Sequence, residues 1–154
     1  VIIQGGSVSV NNCEIYSNAP AYCEPDLQNP IPILRRICPS SVGGVSIWGG
    51  SVSFNDCNIY SNAGGNAGGG AGGVAIRGGL GDTATFNNCK IYSNQEINGG
   101  ANLDISGGTG FDVYFSNCEI YSNSGGGLSI GMGGADFTFN NCDIYSNAVD
   151  WEGD

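Results

Sequence analysis

The sequence predicts an all-β protein, a single-stranded parallel β-helix of about five coils with three short strands in each coil. A motif of Asn or Asp, Cys, a variable residue and Ile-Tyr-Ser-Asn occurs five times in 154 residues. An apolar-x-apolar pair precedes every copy, and a Gly-rich segment with another such pair follows four of them. A single coil cannot bury its apolar side chains, whereas stacked coils share a core.

The first predicted strand of each coil contains the apolar pair that precedes the cysteine. Apolar residues alternate with one intervening residue, which is typical of a strand with one buried face. Two polar residues then lead to the cysteine, and Asn and Asp tolerate the left-handed backbone that a sharp corner requires. The five pairs are Val8/Val10, Val52/Phe54, Ala84/Phe86, Val113/Phe115 and Phe137/Phe139.

The second predicted strand consists of Cys, a variable residue and Ile, with Cys and Ile inside. Parallel thiols do not converge on one point, so we expect no metal site. The cysteines are interpreted as small buried apolar side chains, and a disulfide between neighbours is the alternative. This internal cysteine ladder comprises Cys13, Cys57, Cys89, Cys118 and Cys142.

The tyrosine of each motif follows the inward isoleucine, so strict alternation directs it outward. Stacked coils would then display one row of phenols. We interpret this row as a candidate surface for sugar rings or for assembly, and the alternative is that the rings cover strand edges or loops. The row comprises Tyr16, Tyr60, Tyr92, Tyr121 and Tyr145.

The third predicted strand follows a Gly pair, and a Gly-rich turn then returns the chain to the first strand. We expect one domain over residues 1–154, with the additional length in two turns, a loop at 19–42 and a Gly-rich insert at 63–73. The four clearest third strands are Val45–Ile47, Val74–Ile76, Leu103–Ile105 and Leu128–Ile130.

Cys23 and Cys38 lie outside the repeat and bracket the longest insert. We predict that they form a disulfide that clamps this loop, with a stabilisation of about 3 kcal/mol from loop closure. Such a bond indicates an extracellular or cell-surface location.

The net charge limits the classes of partner that the protein can bind. Fourteen acidic and four basic residues give a net charge of −10, which disfavours nucleic acid. The longest apolar runs are too short for a membrane-spanning helix, and the absence of His excludes imidazole chemistry. We expect no cofactor.

Catalysis is the least favoured function. The carboxylates Asp82, Asp104, Asp112 and Asp136 are scattered near Gly-rich turns, and we interpret them as solvated turn residues. A lyase acting on acidic polysaccharides needs a basic face, and the repeats contain only Arg77 and Lys90. The sequence therefore predicts a protein that is not an enzyme.

The paired motifs resemble the FxxN and GGAI repeats of polymorphic outer-membrane proteins and autotransporter adhesins, with Ile in place of Phe. The resemblance covers nearly the whole chain outside residues 19–42, and it implies a right-handed β-helix that is secreted or on a cell surface. The first motif lies at Ile15–Asn18, Ile59–Asn62, Ile91–Asn94, Ile120–Asn123 and Ile144–Asn147, and the second at Gly43–Ile47, Gly72–Ile76, Gly99–Ile105 and Gly126–Ile130.

The two ends of the sequence suggest assembly. The segment Val1, Ile2, Ile3 matches a third strand, and the segment with Val149 and Trp151 stands where another third strand is due. We expect these residues to form a subunit junction in a head-to-tail homopolymer, an extracellular fibre or adhesin. The alternatives are an excerpt of a longer β-helix, a carbohydrate-binding module with a glycan partner, and a polysaccharide-active enzyme.

Overall fold

A computed structural model describes residues 1–19, 42–64, 71–96, 101–131 and 134–148. Within these ranges the chain forms seventeen strands, numbered here in chain order, and no helix. Fifteen of the strands form three five-stranded parallel sheets, one strand from each coil. The predicted all-β parallel β-helix with three strands per coil is therefore confirmed.

Sheet 1 contains the predicted first strands. Along each strand, apolar residues that point into the core alternate with residues that point outward. In β9, for example, Phe86 is buried and Thr85 is partly exposed. The strands are β2 (Ser7–Asn11), β5 (Ser51–Asn55), β9 (Thr83–Asn87), β13 (Asp112–Ser116) and β16 (Asp136–Asn140).

Sheet 2 contains the Ile-Tyr segments, and its strands begin one residue later than predicted. The cysteine lies at the corner before the strand, because the residue preceding it still has left-handed backbone, as at Asn88 (φ 53°). The strands are β3 (Glu14–Tyr16), β6 (Asn58–Tyr60), β10 (Lys90–Tyr92), β14 (Glu119–Tyr121) and β17 (Asp143–Tyr145).

Sheet 3 contains the predicted third strands together with the segment at Ile2, which pairs with Ser46 in parallel register. The strands are β1 (Ile2–Gln4), β4 (Val45–Trp48), β8 (Val74–Gly78), β12 (Leu103–Gly107) and β15 (Leu128–Gly131).

A short fourth ladder, not predicted from the sequence, follows the Ile-Tyr-Ser-Asn motif. Strand β7 (Ala63–Gly64) pairs in parallel with β11 (Gln95–Glu96), and single bridges extend this ladder through Ser124 to Ala148. The loop at 19–42 and the Gly-rich insert at 63–73 fall largely outside the described residues, and so does the predicted Cys23–Cys38 disulfide.

The register places equivalent residues of successive coils opposite one another. Phe54 pairs with Phe86, and Phe86 pairs with Phe115 through the strands of sheet 1. Their rings stack with centroids 4.7–5.0 Å apart, in the same range as the spacing of about 4.8 Å between adjacent strands. Side-chain packing between coils therefore repeats the backbone pairing.

Two corners of each coil require left-handed backbone at a residue other than Gly. The first is the predicted Asn or Asp before the cysteine, and the second is the serine after the tyrosine, which the sequence did not reveal. All ten have φ between 51° and 54°: Asn12, Asp56, Asn88, Asn117 and Asn141 at the first corner, and Ser17, Ser61, Ser93, Ser122 and Ser146 at the second.

A fully buried aromatic ring, Phe111, fills the space between sheets 3 and 1 outside the repeat pattern. A Cβ on Gly78 or Gly107 would lie within about 2.5 Å of this ring, so only glycine fits at these two positions. The two glycines therefore create the space that the ring occupies.

A buried asparagine ladder lines the second corner. The Asn62 backbone N–H and its Nδ2 both donate to Asn94 Oδ1 at 3.0 Å, and Nδ2 also donates to the Ile15 carbonyl of the preceding coil. The buried members Asn62, Asn94 and Asn123 therefore each link three successive coils. The ladder comprises Asn18, Asn62, Asn94, Asn123 and Asn147.

We expect Asn94→Ala to lower the free energy of unfolding by about 3 kcal/mol, because it removes the acceptor of two buried donors and leaves them unpaired. Urea denaturation measures this change. The matched control is Asn87→Ala on the outer face, where one bond to Asn55 is lost and the expected cost is below about 1 kcal/mol. Equal losses in the two variants would show that the ladder has no special role.

Candidate functional site

The outer face of sheet 2 carries the tyrosine row, called here the tyrosine ladder. Alternation in β10 buries Ile91 completely and leaves Tyr92 partly exposed, and β3, β6 and β14 repeat this pattern at Tyr16, Tyr60 and Tyr121. In the outermost strand, β17, Tyr145 continues the row although Ile144 is exposed as well. The structure therefore places all five tyrosines on one side of the solenoid.

The rings of the tyrosine ladder stack on one another. Neighbouring centroids lie 5.0–5.1 Å apart, and the planes differ by only 2–8°. Each inner ring therefore has a neighbour over both faces and presents its edge and hydroxyl to solvent. A sugar ring stacks on an aromatic face, so the inner rungs offer it little surface.

Charged side chains on the same strands lie beside the phenols. The Tyr60 hydroxyl donates to Glu14 Oε2 at 3.4 Å, and Lys90 Nζ lies 2.8 Å from Glu119 Oε1. Partial burial and then the Glu14 carboxylate raise the pKa of Tyr60, and partial burial and then Tyr121 raise the pKa of Tyr92. Both phenols therefore stay protonated at neutral pH.

The internal cysteine ladder lies at the first corner. Cys57, Cys89 and Cys118 are buried free thiols, and Cys13 and Cys142 at the two ends are half-buried. The Cys89 thiol donates to the Asn87 carbonyl at 3.3 Å. Contact with the Cys118 thiol and burial raise the pKa of Cys89, so this thiol remains neutral. In this structure the cysteines act as corner donors as well as core side chains.

A second exposed cluster lies on sheet 3 and does not repeat between coils. Trp48 is 54% exposed, and its Nε1 donates to Ser46 Oγ at 2.8 Å. The Arg77 guanidinium lies 5.8 Å from the Trp48 ring centroid, and it donates to Asp104 Oδ2 at 3.1 Å and to Ser106 Oγ at 2.8 Å. The indole and the guanidinium are thus held in place by neighbouring side chains. We call these residues the Trp48 cluster.

The carboxylates near the turns do not converge on one another as a group. Asp82 accepts the backbone N–H groups of Gly50 and Gly79 at 2.8 Å, and these bonds, Gly79 first, lower its pKa. Asp104 is paired with Arg77, while Asp112 and Asp136 are register partners on adjacent strands of sheet 1. Among the described residues no group of three or more Cys, Asp or Glu side chains is arranged to hold a metal ion.

The residues expected at a subunit junction lie partly within the described chain. Ile2 is exposed on β1, Ile3 is buried, and the Val1 ammonium donates to the Gly44 carbonyl at 2.7 Å. Val149 and Trp151 fall outside the described residues. In the described part of the chain, no helix has the length and apolarity to cross a bilayer.

Comparison with known proteins gives one match. Residues 43–151, more than half of the chain, match the family described as "right handed beta helix region". The chain belongs to this right-handed β-helix family. Searches of curated proteins and of solved structures found no match. Right-handed β-helices include enzymes and proteins without enzymatic activity, so membership in the family does not define an activity.

Besides the fourth ladder and the serine corner, the sequence does not reveal two further features of this β-helix, the asparagine ladder and the Trp48 cluster. The sequence shows that each motif ends in Asn. It does not show that this Asn is buried and bonded along the solenoid axis, because both properties depend on the left-handed serine before it. The Trp48 cluster joins residues from three coils, and Trp48, Arg77 and Ser106 are register partners in sheet 3 whose residue type differs from coil to coil. Its one available signal was that Arg77 is the only arginine within the repeats.

We expect the Tyr60 phenol to titrate above its ordinary pKa of 10.0, and Glu14→Gln to lower that pKa by removing the carboxylate charge, because the glutamine amide oxygen is only a neutral acceptor. The folded state binds this proton more tightly than the unfolded chain, so its contribution to stability is complete below about pH 10 and is lost as the pH rises through the folded-state pKa. Ultraviolet titration of the phenols measures the shift, with Glu119→Gln as the matched control. An unchanged titration curve for Glu14→Gln would contradict the assigned cause.

Proposed function

We propose that this β-helix is an extracellular structural protein, a subunit or segment of a fibre or surface adhesin in which coils stack head to tail. The observation that carries the proposal is that every described coil presents the same ladders to the next coil. One coil is therefore a template for another, whichever chain supplies it.

The apolar ladders support stacking beyond the outermost described coil. Ile144 and Ile130 in that coil are 46% and 41% exposed, whereas Ile120 and Ile105, their partners one coil earlier, are fully buried. A further coil with the same register would bury both side chains. Complete burial of an isoleucine contributes about 2 kcal/mol, so such a contact is favourable.

The asparagine ladder gives the stacking a direction. Each backbone N–H and Nδ2 donates toward the following coil, and each Oδ1 accepts from the preceding coil, as between Asn123 and Asn147. At one end the ladder presents donors, at Asn147, and at the other it presents the acceptor Asn18 Oδ1. Head-to-tail contact joins donor to acceptor, and head-to-head contact would oppose groups of the same kind.

The extracellular location and the non-catalytic role are supported by different residues. An extracellular location depends on the predicted disulfide between Cys23 and Cys38, because such bonds persist in oxidising compartments. A non-catalytic role is supported by Asp82 and Asp104, whose oxygens are engaged by backbone amides and by Arg77.

We expect the protein to form concentration-dependent oligomers, and Ile144→Asp to shift them toward monomer, because the new carboxylate would be buried without a partner at the stacked face. Analytical ultracentrifugation measures the distribution, and negative-stain imaging shows whether the oligomers are linear.

The matched control for this experiment is Thr138→Asp, which adds the same charge to the same coil on the outer face of sheet 1. It should assemble as the unmodified protein does. A protein that stays monomeric at high concentration, or equal effects of the two substitutions, would contradict head-to-tail stacking.

A second candidate function is carbohydrate binding, and the Trp48 cluster is the observation that favours it. A fixed, exposed indole beside a guanidinium, a carboxylate and a hydroxyl provides an apolar platform with polar groups at its edge. The tyrosine ladder is less suitable, since its inner rings cover one another.

If a glycan binds at this cluster, we expect Trp48→Ala to abolish binding on a glycan array and replacement of the five ladder tyrosines by Phe to preserve it. The first change removes the platform, whereas the second retains every ring. Binding that survives Trp48→Ala and is lost with the tyrosines would place the glycan on sheet 2 instead.

A further inference from the structure

We propose that the tyrosine ladder is a modification site, at which a one-electron oxidant joins two copies of this chain through dityrosine bonds. This inference does not depend on whether coils stack end to end. It rests on the arrangement of the rings on the outer face of sheet 2.

The reactive positions of the ladder face solvent. Dityrosine forms through the ring carbons next to the hydroxyl, which lie at the outer end of the side chain. Tyr16 and Tyr145 are about half-exposed, and Tyr60, Tyr92 and Tyr121 are partly exposed with their inner isoleucine neighbours buried. A second protein can therefore reach the coupling carbons.

The stacking makes every rung available after a single oxidation. Removal of an electron oxidises one ring to a radical. The adjacent ring, whose centroid lies 5.0 Å away, can then transfer an electron to it, so the oxidised site moves along the ladder. The phenolic proton must leave at the same time, and the Glu14 carboxylate 3.4 Å from the Tyr60 hydroxyl is placed to accept it. Oxidation anywhere on the row thus yields a tyrosyl radical that can react at several positions.

The same geometry disfavours bonds within one chain. Neighbouring rings lie face to face with planes 2–8° apart, whereas a dityrosine bond joins two rings edge to edge. Two rungs of one ladder would have to leave the stack before they could couple. The edges of the rings point away from sheet 2, toward a second molecule.

A second copy of this chain fits the ladder because its own rungs have the same spacing. Once one bond joins two ladders, the next rungs of both chains lie opposite each other at intervals of 5.0–5.1 Å. The net charge of −10 on each copy opposes the approach, and added salt screens this repulsion. Coupling should therefore increase with ionic strength.

Formation of a dityrosine bond requires an external oxidant that accepts two electrons. Each of two phenols gives up one electron and its hydroxyl proton, and the two radicals form one carbon–carbon bond beside the hydroxyls. The hydrogen on each coupled carbon then moves to the oxygen and restores two phenols. The two phenols together lose two electrons and two protons. The electrons are accepted by two equivalents of a one-electron oxidant, such as a photogenerated ruthenium(III) complex or a peroxidase, and the protons pass to solvent.

The test oxidises the full chain with a photolysed ruthenium tris-bipyridine complex and persulfate. The ladder variant replaces Tyr16, Tyr60, Tyr92, Tyr121 and Tyr145 by Phe, which keeps the stacked rings and removes the phenols. The matched control is Tyr114→Phe, an exposed tyrosine on sheet 1. Both carry Tyr22→Phe, because Tyr22 lies outside the described residues. Circular dichroism verifies that both variants fold.

We expect the control to give dimers that resist denaturing gel electrophoresis, show blue dityrosine fluorescence and increase with salt. Their mass should be lower than that of two monomers by two hydrogen atoms per bond. The ladder variant, in which Tyr114 is the only tyrosine left, should give much less dimer than the control. Equal dimer in both variants, no coupling in the control, or dityrosine confined to monomers would each overturn the proposal.

Discussion

Coil-to-coil register is the constraint on which this structure depends. Parallel strands of successive coils hydrogen-bond residue to residue, so each side chain lies over its counterpart in the next coil. A residue type that recurs at the same position of successive coils must therefore also pack against itself. Phe, Ile, Cys, Asn and Tyr meet this condition in different ways, by ring stacking, by apolar contact, or by side-chain hydrogen bonds that repeat along the axis.

The same register generates the outer surface. A row of phenols arises on sheet 2 because Tyr directly follows the buried Ile in every motif. Each Tyr is therefore the register partner of the Tyr on the neighbouring strand. The Trp48 cluster is the opposite case, since its residues differ between coils and complement one another through a cation–π contact and an ion pair. Repeated positions form extended ladders, and varied positions form localised sites.

The repeat allowed much of the fold to be predicted, because period and polarity alone identify the inward residues of all three sheets. The alternation pattern predicts a strand that starts at Cys89, whereas the strand starts one residue later, because the left-handed corner at Asn88 delays the extended backbone. The burial of Asn94, the left-handed Ser93 and the position of Phe111 were not predictable, because each depends on contacts between coils that no local pattern records. The role of the tyrosines stays a prediction.

The direction of the hydrogen bonds has a mechanical consequence. The bonds of sheets 1, 2 and 3 run along the solenoid axis, from one coil to the next. A pulling force along that axis acts on coils in series, so it opens the contact between two coils while the others keep their shape. Under tension the protein should lengthen in discrete steps of one coil each, and it should dissipate work at each step rather than fail as a single unit.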